Sequence, residues 1–301
     1  MTACAGARAG AAARSLAFAA WCGAAFSGCG EPGSRLTRGE ILVSGSDAAL
    51  ALMRAEADSF MAIYADARIH VEGGGSVLGL EALINKKADA AFLSREPSER
   101  ERAIADNAGA ELAVYPFARD GLAIIVRRDN PVYALAFDEA RSIFAGQTAR
   151  WSEIGGNDAA IVVYKSHAAT GAAGFVQETL LDGAAFAAGA IEARTTREIA
   201  EAVALDANAI GFASMTEIDD RVKALPLSPK EGGPLTVMNA ETVYRQSYPL
   251  TRTFCFVTRG IPRDNLVSGF VSYAMSNPGQ KIVLQSGFVP ATVPVTIKHE
   301  G

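Results

Sequence analysis

Residues 41–47 read Ile-Leu-Val-Ser-Gly-Ser-Asp. A short apolar run of this kind reads as a buried strand, and Asp47 after it is a residue type that caps helices. Met53, Ala57, Phe60, Met61 and Tyr64 then recur at helical spacing, which predicts a helix with one buried face. A strand that runs through a small-residue loop into a helix is the building unit of an α/β fold.

Working outward, the alternation continues. Strands are expected at Ile69–Glu72, Ala88–Ser94, Leu112–Phe117, Leu122–Arg128, Ala160–Lys165 and Thr253–Thr258. Helices are expected from Ser76 through Lys87, and over Phe137–Ala145, Gly171–Leu181, Asn265–Ser276 and Gly279–Ser286. Pro97–Asn107 reads as a charged, exposed helix with Pro in its first turn. Thr196–Leu205, Ala209–Ser214 and Val222–Leu227 carry the alternation on. The pattern predicts an α/β fold with mainly parallel sheets and no repeat of fixed period.

The chain has 301 residues, is 50% hydrophobic and carries 28 basic against 33 acidic residues. That apolar content supports a sizeable core and argues against disorder. Basic stripes with interleaved aromatics are absent, so no nucleic acid partner is expected. At the N-terminus, Arg8 and Arg14 precede the apolar run Leu16–Phe26, followed by Ser27-Gly28-Cys29. This reads as an export signal over 1–28, too short to span a bilayer. Residues 29–37 then read as a Pro-, Gly- and Ser-containing tether. Of the four cysteines, Cys4 and Cys22 leave with the signal. Cys255, within Thr253–Val257, reads as a small buried hydrophobe.

Three strand ends carry small hydroxyl or glycine residues just before a helix. They are Ser44-Gly45-Ser46-Asp47, Gly73-Gly74-Gly75-Ser76 and Ala168-Ala169-Thr170-Gly171. Ligands of open α/β sheets sit beyond the carboxyl ends of strands. Helix N-termini there offer unpaired N–H groups and partial positive charge, so three converging ends suit a small tetrahedral oxyanion. Ordinary capping and tight turns are the alternative reading of each loop taken singly.

Several segments resemble the phosphate-type periplasmic substrate-binding proteins of ABC transporters. These are Ile41–Ser46, Gly73–Gly79, Ala88–Arg95 and Arg119–Val126, then Ile143–Gly146 with Ala149–Gly156, Ala209–Phe212, Tyr248–Arg252, Gly279-Gln280 and Gly287–Pro290. They occur in the family's order and span nearly all of 41–291. The resemblance implies a two-lobed class II periplasmic-binding-protein fold. Each lobe would be a mainly parallel sheet flanked by helices, with the ligand cleft at the hinge. Lobe 1 would be 38–127 with 250–301 and lobe 2 would be 128–249, with crossings near 126–131 and 246–252. Cys29 would be lipidated and become the first residue of a membrane-anchored lipoprotein in the periplasm or at the cell surface. The expected partners are inorganic phosphate or a related oxyanion and an ABC transporter permease, and the chain is expected to act as a monomer without a cofactor.

By position, the resemblance gives Ser46, Asp47 and Ala48 as donors from the first loop and Ser76 as a hydroxyl from the second. It places a polar pair at Ser94 and Arg95. The best-known phosphate binders carry Asp at the Arg95 position, so Arg95 would add a bidentate cation instead. In the third loop the family has an Arg followed by Gly-Ser-Gly-Thr. Here Lys165 and Ser166 precede Thr170 and Gly171, and Ala172 lacks a hydroxyl. Lys165 offers a point charge where the family has a planar clamp.

Other residues carry weaker signals. His70 reads as a strand residue, His167 as a loop residue able to donate to an anion, and His299 as part of the chain end. No Gly-x-Ser-x-Gly elbow and no metal-ligand spacing are present, so no catalytic residue and no metal site are expected. Trp151 reads as core or cleft-rim packing, and Glu99–Arg102 as a solvated helix face. The function expected is oxyanion capture for transport. The alternatives are a degenerate adaptor or sensor on the same fold and, more remotely, a phosphate-ester hydrolase.

Overall fold

The computed structural model describes residues 34–168 and 170–291. The export signal, Cys29 and His299 lie outside them. Ser34 begins a turn, closed by the Thr37 N–H on the Ser34 carbonyl at 2.9 Å.

Strand β1 (Gly39–Gly45) leads through a 3-10 turn (Asp47–Ala49) into α1 (Leu50–Ile63). Next come β2 (Ala67–Glu72), α2 (Ser76–Ile84), β3 (Ala90–Leu93) and α3 (Glu99–Asn107). The helix expected from Pro97 begins later, at Glu99. Ser98 and Glu101 form a reciprocal capping box there, and that fixes the start. Then β4 (Leu112–Arg127) runs unbroken for 16 residues. Two strands, Leu112–Phe117 and Leu122–Arg128, were expected in this stretch, and the polar Ala118-Arg119-Asp120-Gly121 between them proves to be part of one strand.

The chain continues through β5 (Leu135–Ala136), α4 (Phe137–Phe144), a 3-10 turn (Trp151–Ile154), β6 (Val162–Ser166) and α5 (Gly171–Thr179). It goes on through β7 (Ile191–Ala193), α6 (Thr196–Leu205), β8 (Ala209–Ser214) and a 3-10 turn (Met215–Glu217). The strand expected over Val222–Leu227 is two short pieces, β9 (Val222–Ala224) and β10 (Leu227–Ser228). The remaining elements are α7 (Ala240–Tyr244), β11 (Thr251–Arg259), α8 (Leu266–Ala274), α9 (Asn277–Gln285) and β12 (Val289–Pro290).

The main sheet runs β2-β1-β3-β11-β4-β8-β6-β7. Its ends are parallel, with β1 pairing β2 and β3, and β6 pairing β7 and β8. The centre is antiparallel, since β11 pairs both β3 and β4 and β4 pairs β8. The sheet is therefore mixed. On β4 the partner changes within two residues. Gly121 faces Thr251 of β11, and Leu122 faces Ser214 of β8. The crossing thus falls at 121–122, ahead of the expected 126–131.

Two hydrophobic cores flank this crossing. One holds Phe60, Phe92, Phe117, Phe254, Phe256 and Phe270, with edge-on contacts such as Phe60–Phe270 at 5.6 Å. The other is mostly aliphatic, built on Leu122–Val126, Ile143, Ile199 and Ile210, with Trp151 buried among them. Trp151 also donates its indole N–H to the Asn208 carbonyl at 3.0 Å. Between the cores, the fully buried Asp120 accepts two hydrogen bonds from Arg252, at 2.7 and 3.0 Å. Ser214 Oγ donates to its other oxygen at 2.8 Å. This pairing lets a polar segment stay extended inside the sheet.

Candidate functional site

The first loop follows β1. Ser46 stands at the head of the 3-10 turn and gives its N–H to the Phe92 carbonyl at 2.8 Å. Its hydroxyl is buried and has no partner among the described residues. Asp47 was expected to cap the helix. It sits inside the turn instead, and its Oδ1 accepts the Gly74 N–H at 2.9 Å. Asp47 therefore straps the first loop to the second.

The second loop ends at Gly75, whose φ of +104° lies in the region that favours glycine. This sets Ser76 as the first residue of α2. The Ser76 hydroxyl accepts the Ser94 N–H and shares a hydrogen bond with the Ser94 hydroxyl, both at 3.2 Å. Both side chains are buried.

The third loop caps α5. Thr170 Oγ1 donates to the His167 carbonyl at 2.8 Å and accepts the Ala173 N–H at 3.2 Å. Ser166, fully buried at the end of β6, bonds Thr170 Oγ1 at 2.7 Å and steadies the cap. Gly171 lies so close to the second loop that a Cβ on it would sit 2.0 Å from Ser94 Oγ and 3.2 Å from Ser76 Oγ. Only glycine admits this approach. The starts of α2 and α5 and the Ser94 hydroxyl thus meet at one point.

The cations expected at this point are engaged elsewhere. Arg95 gives two N–H groups to Glu101, at 2.7 and 2.8 Å, within the cap of α3. Burial pushes the Glu101 carboxyl up, but Arg95 and Ser98 outweigh it and hold the group down at about 2. Arg95 is therefore a bidentate partner of Glu101, not a free guanidinium. Lys165 Nζ lies 2.5 Å from Glu192, whose carboxyl this hydrogen bond lowers. His167 Nε2 stands 3.8 Å from the same carboxylate. Among the described residues no acidic, cysteine or histidine cluster suits a metal ion.

A cavity of about 510 Å³ opens beside the meeting point, lined by Asp47, Ala48, Thr170 and Gly171. It continues to Arg194, Thr195, Thr196 and Arg197 before and in α6, and to Glu217 and Phe288. The sequence reading missed this wall. Its signal was the one used for the other loops, since Arg194-Thr195-Thr196-Arg197 is a further hydroxyl-rich strand-to-helix junction. Glu217 accepts the Ser214 N–H at 3.0 Å, and burial raises its carboxyl despite the Thr196 and Ser214 hydrogen bonds.

A family model described as the PBP superfamily domain matches residues 30–278. The chain belongs to the PBP superfamily. The phosphate-binding protein PstS of Pseudomonas aeruginosa is 25% identical over 276 residues, covering 86% of this chain and 85% of that protein. An ABC-type phosphate transport receptor from Vibrio cholerae superposes with a TM-score of 0.72 at 26% identity, covering 83% of this chain and 99% of that one. A substrate-binding protein from Clostridium perfringens, solved with bound phosphate, gives 0.71 at 27% identity, covering 84% of this chain and 100% of that one. The two-lobed PBP fold expected from the motifs is the fold observed. In this PBP-superfamily chain the start of α5 thus packs directly against the Ser76 and Ser94 hydroxyls.

Proposed function

We propose that this chain captures phosphate, or a similar tetrahedral oxyanion, outside the cytoplasm and hands it to an ABC transporter permease. The observation that carries the proposal is the convergence of Ser76, Ser94 and Gly171, with the buried Ser46 hydroxyl left unpartnered beside it. Helix N-termini and hydroxyls suit an anion of this size, and an orphaned buried hydroxyl is satisfied by a ligand oxygen. The phosphate-binding relatives support the same reading.

In this reading Ser46, Asp47, Ala48, Ser76, Ser94, Thr170 and Gly171 form the cradle. Arg95, Lys165 and Ser166 hold the loops around it. The lobes divide where β4 passes from β11 to β8, at 121–122, and where the chain enters β11, at 250–251. Cys29 carries the lipid that keeps the chain at the membrane, and nothing is turned over.

Thermal unfolding of the full chain in detergent, stripped of ligand, tests this with phosphate, sulfate, arsenate and molybdate. A ligand at a hundred times its dissociation constant adds about 2.7 kcal/mol, which moves the midpoint by several degrees. A shift with phosphate is expected. A shift only with another anion changes the substrate, and no shift with any of them removes the receptor reading.

A further inference from the structure

The cavity is larger than one tetrahedral anion needs. At about 510 Å³ it lies within the range of roughly 300–1,000 Å³ that buries small organic molecules. Asp47, Ala48, Thr170 and Gly171 line it, so it is continuous with the cradle. Leu52 and Phe288 give it an apolar side. Arg194 and Arg197 bring two guanidinium groups to its lining. Arg194 is tied to Glu198 at 2.6 Å. Arg197 makes no ion pair or hydrogen bond among the described residues. The two acids on the wall are already held by donors, Asp47 by the Gly74 N–H and Glu217 by the Ser214 N–H.

Charge is therefore distributed in two places. The cradle meets an anion with hydroxyls and helix N-termini, while its neighbouring cations Arg95 and Lys165 are neutralised within the chain. The unmatched cation, Arg197, lines the same cavity. We propose that the site takes a small phosphorylated carboxylate, with its tetrahedral group in the cradle and its carboxylate on Arg197. Guanidinium and carboxylate match as a bidentate pair, and the short tail between the two anions lies along Leu52 and Phe288. This rests on the oxyanion reading given above and sharpens its substrate class.

Isothermal titration of the full chain tests it with inorganic phosphate, phosphoglycolate, 3-phosphoglycerate and phosphoethanolamine. At least one phosphorylated carboxylate is expected to bind about tenfold tighter than phosphate, and phosphoethanolamine, with its cationic tail, no tighter than phosphate. Arg197→Gln is expected to abolish that tenfold advantage and leave phosphate binding unchanged. Phosphate binding with no advantage for either carboxylate overturns this inference alone. An advantage that survives in Arg197→Gln overturns it as well. Failure of all four ligands overturns both this inference and the oxyanion reading.

Discussion

Two buried polar clusters lie near the line where the cores meet, and they are built in opposite ways. At the strand crossing, Asp120 and Arg252 form a buried ion pair, Ser214 and the Met215 N–H complete the carboxylate, and Arg252 Nη1 has no partner among the described residues. In the cradle no charge is buried, the hydroxyls of Ser76 and Ser94 bond each other, and Ser46 is left open. The first cluster meets its carboxylate entirely with donors from the chain and joins β4, β8 and β11. The second is made of neutral hydroxyls and leaves one of them, on Ser46, unpartnered among the described residues, which suits the anion capture proposed above.

Substitutions can break this contrast. The largest effect is expected from Asp120→Ala, which strands Arg252 in the interior and should cost about 3–5 kcal/mol in chemical denaturation. Glu56 probes a third kind of buried group. It is fully buried in α1 with neither oxygen partnered, and burial pushes its carboxyl up to about 9. Its folded value exceeds its unfolded one, so stability is full below about pH 4.5 and declines as pH rises toward 9. Glu56→Gln should remove that slope and add about 3 kcal/mol at pH 7, as read in unfolding curves across pH.

Gly171→Ala drives a methyl into Ser94. It should cost about 1–3 kcal/mol of stability and weaken phosphate about tenfold or more in titration calorimetry. Ser46→Ala sharpens the contrast by changing sign. Without ligand it should stabilise the chain by about 1 kcal/mol, because an unsatisfied hydroxyl is gone, yet phosphate should bind about tenfold more weakly. Arg95→Ala is expected to lower stability by about 1 kcal/mol near neutral pH and leave phosphate affinity unchanged. The Glu101 carboxyl is depressed in the fold, so the pair's contribution is present above about pH 4.5 and is lost as pH falls toward 2. That acid limb should flatten in the variant.

Most of the fold was legible in the sequence, because helical periodicity and short apolar runs report directly on burial. The three loops were legible through repetition, since small hydroxyl and glycine residues that ordinary capping explains singly recur at three strand-to-helix junctions. The long strand β4 was not. Its Ala118–Gly121 segment looks like a turn until Arg252, 132 positions away in the chain, supplies the charge that keeps it extended. The ion pairs of Arg95 and Lys165 were hidden for a related reason. A sequence shows that a cation is present, but its partners Glu101 and Glu192 are fixed by a helix cap and by strand pairing. The charge run Glu99–Arg102 was read as wholly solvated, and Glu101 proved to be half of that pair. The α6 wall carries the same signal as the other loops, a hydroxyl-rich strand-to-helix junction at Arg194–Arg197.

Cys255 has one more consequence. It lies on β11, is fully buried, and burial pushes its thiol up to about 12. It is also the one free cysteine among the described residues. In native protein a thiol reagent reaches Cys255 only when the sheet opens. Its labelling rate is therefore a clock for unfolding, and bound ligand should slow it in proportion to occupancy.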